Sequence, residues 1–215
     1  MDLHALFLRP RADDMSLFDL FVIECQKLRD QHGYNHLRFG VFDDFCVKYI
    51  KHVCNLKNVW LFKDVPDELL TQLSLKRHDR GIDIVVESDG NYYAVICKFK
   101  KWVPHKLNPL KKNNLSKFYD LVSRTGPWSQ YIVMTNCDYC AYMGNRTVKD
   151  YSITARKFRK ITQEQWIQMC ELEGSLTHTS QSTDSQVALT PEQLRAARLA
   201  RFSPQVAAAG GEPAP

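Results

Sequence analysis

Two segments near the start of the chain repeat their apolar residues at the spacing of an α-helix. The segment 16–28 opens with Ser16, a suitable N-cap, and carries Leu17, Leu20, Phe21 and Leu28. From 41 to 53 the apolar positions follow the series i, i+3, i+4, i+7, i+8 and i+11. These positions are Phe42, Phe45, Cys46, Tyr49, Ile50 and Val53. Both segments are predicted to be helices that bury one face.

The clearest local pattern is a β-hairpin in the middle of the chain. The β-rich segments 82–87 and 92–99 flank an Asp-Gly pair at 89–90. Asp-Gly favours a two-residue turn because both turn positions need a positive φ. The register that follows from this turn sets Asp83 directly opposite Ile96.

Alternation along the hairpin divides its side chains between two faces, since successive residues of a strand point in opposite directions. One face is apolar throughout and carries Ile82, Ile84, Val86, Tyr93, Val95, Cys97 and Phe99. The opposite face carries Asp83, Glu87, Ile96 and Lys98. Asp83 and Lys98 are therefore expected to share a polar face.

Strand and helix patterns alternate after the hairpin. A helical stripe runs from Leu115 to Arg124, Thr-Gly-Pro breaks it, and 131–135 is β-rich, which predicts a crossover between parallel strands. Residues 151–154 are predicted to form an edge strand. Thr162 and its next three residues form a capping box that opens a last helix. The chain is assigned to the α/β class, with a mixed β-sheet flanked by helices.

The composition changes after the last predicted helix. Residues 174–187 are rich in Ser, Thr and Gln and cannot bury enough apolar surface to offset the entropy of ordering. We predict an N-terminal helical extension over 1–35, a folded domain over 36–173 and a mostly disordered tail over 174–215. A short helix near 191–202 within that tail either binds a partner or nucleic acid, or frays as an isolated helix.

Positive charge is concentrated just after the hairpin. The net charge is +5, and residues 98–117 contain seven lysines and no acidic residue. Such a run favours a polyanionic partner, although a solvated, flexible loop explains it equally well. The lysines are Lys98, Lys100, Lys101, Lys106, Lys111, Lys112 and Lys117.

Hydropathy and cysteine content indicate a soluble protein of the cytoplasm or nucleus. The sequence has no apolar stretch of the roughly 18 residues that a membrane span needs. Its seven cysteines are an odd, scattered set, as expected for reduced thiols. Cys137 and Cys140 form a C-x-x-C, but no second pair of ligands follows, so zinc is not expected.

Asp83 and Lys98 match the needs of phosphodiester hydrolysis. The reaction takes a carboxylate to hold Mg²⁺ and a cation near the scissile phosphate. A structural ion pair in the hairpin explains the same two residues. Asp43 and Asp44, in the first turn of the second helix, have two readings as well: they stabilise the helix start through the macrodipole, or they take part in catalysis.

These motifs resemble those of the PD-(D/E)xK nuclease superfamily, and within it the Mrr-type restriction-endonuclease-like domains, including those found with helicases in large DNA viruses. The matching text is RHDRGIDIVVESDGNYYAVICKFK, then LSKFYDLVSRTGPWSQYIVMTNC, preceded by the helix RFGVFDDFCVKYI. The resemblance implies that Asp43 is the helix acid, Asp83 the main metal ligand and Lys98 the catalytic lysine. It also implies Mg²⁺ or Mn²⁺ as cofactor, DNA as substrate and a helicase or other protein as a partner.

The sequence departs from this motif at Ile96, where the family has Asp, Glu or Gln. Isoleucine cannot bind a metal, so a cation would depend on Asp83, Asp43 and the backbone carbonyl of Cys97. If Ile96 faces Asp83, then Ile96→Gln or Ile96→Glu is expected to strengthen metal binding or cleavage.

Two functions are compatible with the motif and its departure. One is Mg²⁺-dependent hydrolysis of DNA. The other is a non-catalytic module on a nuclease scaffold that binds DNA or recruits a partner. In both, the expected DNA-binding residues are Lys100, Lys101, Lys106, Lys111 and Lys112.

Overall fold

The computed structural model of this chain describes residues 15–32, 40–101, 103, 109–141 and 149–171. All of them belong to one unit, Met1–Leu176. The predicted tail helix near 191–202 and Lys106 lie outside the described residues.

A five-stranded mixed sheet forms the centre of this unit, with strand order β1-β2-β3-β5-β7. Its strands are β1 Asn58–Leu61, β2 Ile84–Ser88, β3 Asn91–Lys98, β5 Gln130–Thr135 and β7 Asp150–Ile153. The first three are antiparallel neighbours, and β3, β5 and β7 are parallel. The short strands β4 Pro109–Leu110 and β6 Tyr139–Cys140 form a separate parallel pair. The predicted hairpin, parallel crossover and edge strand are confirmed.

Six α-helices accompany the strands in the described part of the chain. They are α1 Leu17–His32, α2 Val41–His52, α3 Asp67–Gln72, α4 Ser116–Ser123, α5 Ala155–Phe158 and α6 Gln163–Glu171. The predicted N-cap of α1 is present, since Ser16 Oγ accepts the N–H of Asp19 at 3.1 Å. The capping box of α6 is also present, between Thr162 and Gln165. None of these described helices has the length and apolar character needed to cross a membrane.

Helices bury both faces of the sheet. On one face α1, α2, α5 and α6 enclose an aromatic-rich cluster, the first core, whose largest members are Phe18, Phe21, Phe45, Phe158 and Trp166. On the other face α3 and α4 enclose the second core, which includes Leu73, Ile96, Leu115, Phe118 and Leu121. Arg159 joins the first helix to the rest by ion pairs with Asp19 at 2.9 Å and Asp138 at 3.0 Å.

The prediction that one face of the hairpin is polar is wrong for most of the length of the hairpin. Val85, Ala94 and Ile96 on that face are buried in the second core. A parallel pair of strands needs a crossover, and α4 crosses over this face between β3 and β5. The sheet is therefore covered on both sides, as sheets with parallel strands usually are.

The hairpin has a regular turn at one end and a bulge at the other. Asp89 and Gly90 have φ angles of 51° and 74°, as the predicted turn requires. At the far end the pairing stops at Ile84 with Val95, and the N–H of Asp83 already donates to the carbonyl of Val95 at 2.9 Å. Two consecutive residues thus lie opposite one, which is a β-bulge.

The bulge changes which side chains share a face. Ile82 belongs to the second core and Ile84 to the first core, although an unbroken strand would place them together. The predicted pairing of Asp83 with Ile96 is therefore wrong, because the extra residue shifts the register at this point.

One end of the sheet collects the starts and ends of several elements, and we call it the Asp83 end. Strand β2 begins there, and β3, β5 and β7 finish there. Helix α4 also begins at this end, as the contact of Gly81 with Lys117 in its first turn shows. With φ at +140°, Gly81 is so close to α4 that an added Cβ would lie 2.8 Å from the carbonyl oxygen of Lys117.

Gly81→Ala is expected to destabilise the protein by roughly 2 kcal/mol more than Gly40→Ala. Gly40 has nearly the same φ, +139°, but its nearest neighbour is the Asp44 carboxylate at 3.5 Å, an ordinary contact. Both variants place alanine at a φ that disfavours a side chain. Only in Gly81→Ala does the added Cβ also clash with backbone atoms. Urea unfolding at neutral pH measures the difference, and equal losses in the two variants would show that the contact with α4 is absent.

Candidate active site

Asp83 is held by three hydrogen bonds at the bulge. Its N–H donates to Val95, and its carbonyl accepts the N–H of Phe62 at 2.9 Å. Its carboxylate oxygen Oδ2 accepts the N–H of Cys97 at 2.7 Å. Beyond the last paired residues of β2 and β3, the Asp83 carboxylate thus accepts the Cys97 N–H in place of a backbone carbonyl.

Asp43 reaches the same place from the first turn of α2, as predicted. Burial, followed by the negative charges of Asp83 and Asp44, raises the pKa of Asp43 to about 7. The ammonium of Lys98 and a hydrogen bond with the Cys97 side chain offset part of this rise. The sheet and the helix therefore place the two carboxyl groups where the charge of one acts on the other.

The pKa of Asp83 is also set by burial, hydrogen bonding and nearby charge. Burial raises the pKa of this carboxyl, while the hydrogen bond from the Cys97 N–H and the charge of Lys98 lower it. Lys98 thus acts on both Asp43 and Asp83. The structure brings together the three residues that the sequence proposed as a catalytic group.

Two buried polar side chains hold the end of β3 against β5. Thr135 Oγ1 donates to the carbonyl of Lys98 at 2.6 Å and accepts the N–H of Cys137 at 3.1 Å. The Asn136 side chain accepts the N–H of Lys100 at 2.7 Å and donates to its carbonyl at 2.8 Å. Both side chains are buried. The backbone around Lys98 is therefore fixed on both sides of the lysine.

This clamp also fixes the direction of the Cys97 carbonyl. Within an extended strand the N–H and C=O of one residue point the same way, and neighbouring residues point oppositely. The carbonyl of Lys98 points to β5, where Thr135 binds it, and the N–H of Cys97 points to Asp83. The Cys97 carbonyl consequently points to the side of Asp83, where the sequence placed a metal ligand.

The floor of the site is made of thiols. Cys46 of α2 and Cys97 of β3 are buried against each other in the first core, and burial raises the pKa of both. No disulfide joins any of the seven cysteines, all of which lie in the described residues. Because these thiols stay neutral, the acceptors that the site offers a cation are its carboxyls and backbone carbonyls.

Ile96 does not lie beside Asp83. Its side chain is 2% exposed and belongs to the second core. Asp83 interacts instead with Asp43 and with Cys46, a member of the first core. The expectation that Ile96 faces Asp83 is wrong, because the bulge separates the two side chains.

The donors at the site fit a hard divalent cation such as Mg²⁺. Two carboxylates that disfavour each other's ionisation gain most from a cation between them, and Mg²⁺ needs only one or two carboxylates because it keeps several waters. Asp43, Asp83 and the Cys97 carbonyl supply such a set. Within the described ranges no group of three or more His, Cys, Asp and Glu side chains is arranged to hold a metal.

The lysines predicted to bind DNA differ in their surroundings. Lys100 Nζ donates to the carbonyl of Pro109 at 2.9 Å and so ties the lysine segment to β4. Lys101, Lys111 and Lys112 are exposed. Cys137 and Cys140, the C-x-x-C pair, are buried members of the second core.

Sequence reasoning missed Thr135, Asn136 and the bulge. The signal for the first two was present, since a Thr-Asn pair ends an apolar strand and buried polar residues there need partners. The bulge left no comparable mark, because Gly81-Ile82-Asp83-Ile84 reads as an alternating strand.

A family model for restriction endonucleases, Mrr_cat_2, matches residues 51–173, which is more than half of the chain. The matched part contains Asp83 and Lys98 and begins after Asp43. No curated protein and no solved structure matches the chain. The resemblance stated from the motifs is confirmed for the part that holds the hairpin.

Asp43→Asn is expected to raise the free energy of unfolding at pH 7.5 without metal by up to about 4 kcal/mol, from ~1.4 kcal/mol for each pH unit between 3.8 and about 7. The pKa of about 7 in the folded protein lies above the ordinary 3.8, so wild-type stability falls as the pH rises from 4 to 7. Asparagine cannot ionise, and the gain should vanish near pH 4. Thermal unfolding across this pH range measures it.

Asp44→Asn is the comparison because it removes the exposed carboxylate of the same helical turn, and it should give a smaller gain, since the charge of Asp44 raises the pKa of Asp43 less than burial and Asp83 do. Mg²⁺ should stabilise the wild type more than the Asp43→Asn protein. A pH-independent effect of Asp43→Asn would contradict the raised pKa of Asp43.

Proposed function

Because this chain belongs to the Mrr-type restriction endonuclease family, we propose that it binds DNA and hydrolyses its phosphodiester bonds with Mg²⁺ or Mn²⁺. The observation that supports this proposal most is the meeting of Asp43, Asp83 and Lys98 at one end of the sheet. Three separate elements supply them: Asp43 comes from the first turn of α2, Asp83 from the bulge, and Lys98 from the last position of β3.

Each residue has a distinct role in the proposed reaction. Asp43 and Asp83 would hold the cation, with the Cys97 carbonyl as a third donor. A bound divalent metal lowers the pKa of a coordinated water and neutralises charge on the phosphate. The Cys97 N–H donates to Oδ2 of Asp83 and so fixes the orientation of the carboxylate.

Lys98 would act on the scissile phosphate itself. Its ammonium can donate to a non-bridging oxygen and offset the negative charge that develops as water attacks. The clamp by Thr135 keeps the Lys98 backbone in register with β5, which limits where the ammonium can reach. Precise placement of a single charge matters because transition-state stabilisation falls steeply with misplacement.

The lysine segment after β3 would hold the DNA backbone. Lys101, Lys111 and Lys112 are exposed, Lys106 lies outside the described residues, and Lys100 adds charge while bound to Pro109. Contacts of lysine with phosphate position DNA without reading its sequence. The proposal therefore includes no base specificity.

A second function has one specific observation in its favour. Ile96 replaces the polar residue of the motif and is fully packed in the second core, so the usual ligand position has become structural. A module that binds DNA without cutting it, or recruits a helicase through the tail near 191–202, would tolerate this change. Cleavage by the wild type distinguishes the two functions.

Asp83→Asn and Lys98→Met should each lower nicking of supercoiled plasmid in Mg²⁺ or Mn²⁺ by about a hundredfold or more. The matched controls are Asp89→Asn, in the turn at the other end of the hairpin, and Lys51→Met, in the last turn of α2. Both controls should cut like the wild type. A wild type no faster than Asp83→Asn would leave the non-catalytic module as the function.

Ile96→Gln should not increase nicking or metal binding, contrary to the expectation from the motif alone. The amide would enter the second core without a partner and cost about 1–3 kcal/mol of stability. Urea unfolding and the nicking assay measure the two effects. Increased cleavage by a stable Ile96→Gln protein would show that Ile96 does face the metal position.

A further inference from the structure

A short basic loop ends directly before the candidate active site. Residues 76–80 connect α3 with the bulge, and the loop is closed on itself by two hydrogen bonds. Lys76 N–H donates to Asp79 Oδ2 at 2.8 Å, and Asp79 N–H donates to the Lys76 carbonyl at 2.9 Å. This turn uses the carboxylate of Asp79 and leads straight into Arg80, which is exposed.

Gly81 joins this loop to the start of α4. Its α-carbon is so close to the Lys117 carbonyl that no side chain fits between them. The backbone that follows Arg80 therefore lies against the backbone of Lys117, although 36 residues separate Arg80 and Lys117 in sequence. Both side chains are exposed.

The surrounding charges leave this pair of cations available. Arg77 is bound to Asp67 and to the Lys63 carbonyl, and Asp120 is paired with Arg124. Within the described residues, neither Arg80 nor Lys117 has a carboxylate oxygen within 4.0 Å of its charged group. Two exposed cations that leave adjoining segments of backbone, with no carboxylate paired to either, attract a polyanion.

The pair lies on the same side of the sheet as Lys98. Alternation along β3 places Lys98 on the face of Ile96, which α4 covers. DNA whose scissile phosphate contacts Lys98 would therefore meet the start of α4 and the loop before Asp83.

We propose that Arg80 and Lys117 form a phosphate-binding site that holds the DNA backbone beside the candidate active site. The proposal rests on the proposed function, since its ligand is the DNA that the site would cut. The contact is to phosphate oxygens, so it adds affinity and orientation without sequence preference. Arg80 supplies planar paired donors and Lys117 a point charge.

The test is the salt dependence of DNA binding by the double variant Arg80→Gln/Lys117→Gln. Fluorescence anisotropy with a labelled 20-base-pair duplex in EDTA excludes cleavage. Losing two phosphate contacts should reduce the slope of log Kd against log[KCl] by about 1.8, at ~0.9 for each contact. Affinity at low salt should fall roughly tenfold to a hundredfold.

The matched control is Lys51→Gln/Lys57→Gln, which removes the same charge from exposed positions at the opposite end of the sheet. This control should keep the wild-type slope. A wild-type slope in Arg80→Gln/Lys117→Gln would overturn the phosphate site and leave the proposed function standing. A wild type that does not bind the duplex would overturn both. Unfolding curves of the two variants should overlay, because all four side chains are exposed.

Discussion

The hydrogen bond between the Cys97 N–H and the Asp83 carboxylate is the contact on which the candidate site depends. It replaces a backbone bond at the place where β2 bulges away from β3. It also holds Asp83 toward α2, where Asp43 begins the helix. Without the bulge Asp83 would face the second core, which α3 and α4 fill with aliphatic side chains. The β-bulge thus places the Asp83 carboxyl on the side of Asp43 at the end of the sheet.

The same geometry explains how the chain tolerates isoleucine in a nuclease motif. Ile96 and Lys98 leave β3 on the face of the second core, and Ile96 is far enough inside the sheet to be buried there. Lys98 is the last residue of the strand and is only partly covered. In the proposed reaction the metal-binding donors would come from Asp43, Asp83 and the Cys97 carbonyl. With Ile96 unable to bind a metal, cation binding would depend more on Asp43 than the family motif implies.

Much of the fold was predictable because its signals are local. The turn at Asp89-Gly90, the helical stripe of α2 and the capping box of α6 each follow from a few neighbouring residues. The site was predictable only in part: the identities of Asp43, Asp83 and Lys98 came from a family resemblance, and the structure places them together. Which face Asp83 occupies depends on one extra residue in the ladder between β2 and β3, two positions after Gly81 packs on the Lys117 carbonyl. No periodicity in the sequence records it.

Direct observation of a bound cation tests the central claim, that Asp43 and Asp83 form one divalent-metal site. Crystals of the protein soaked in Mn²⁺ allow the ion to be located by its anomalous scattering. The account predicts one Mn²⁺ between the two carboxylates, at about 2 Å from an oxygen of each and on the side of the Cys97 carbonyl. An ion bound on the Ile96 side of β3, or none at these carboxylates in saturating Mn²⁺, would contradict it.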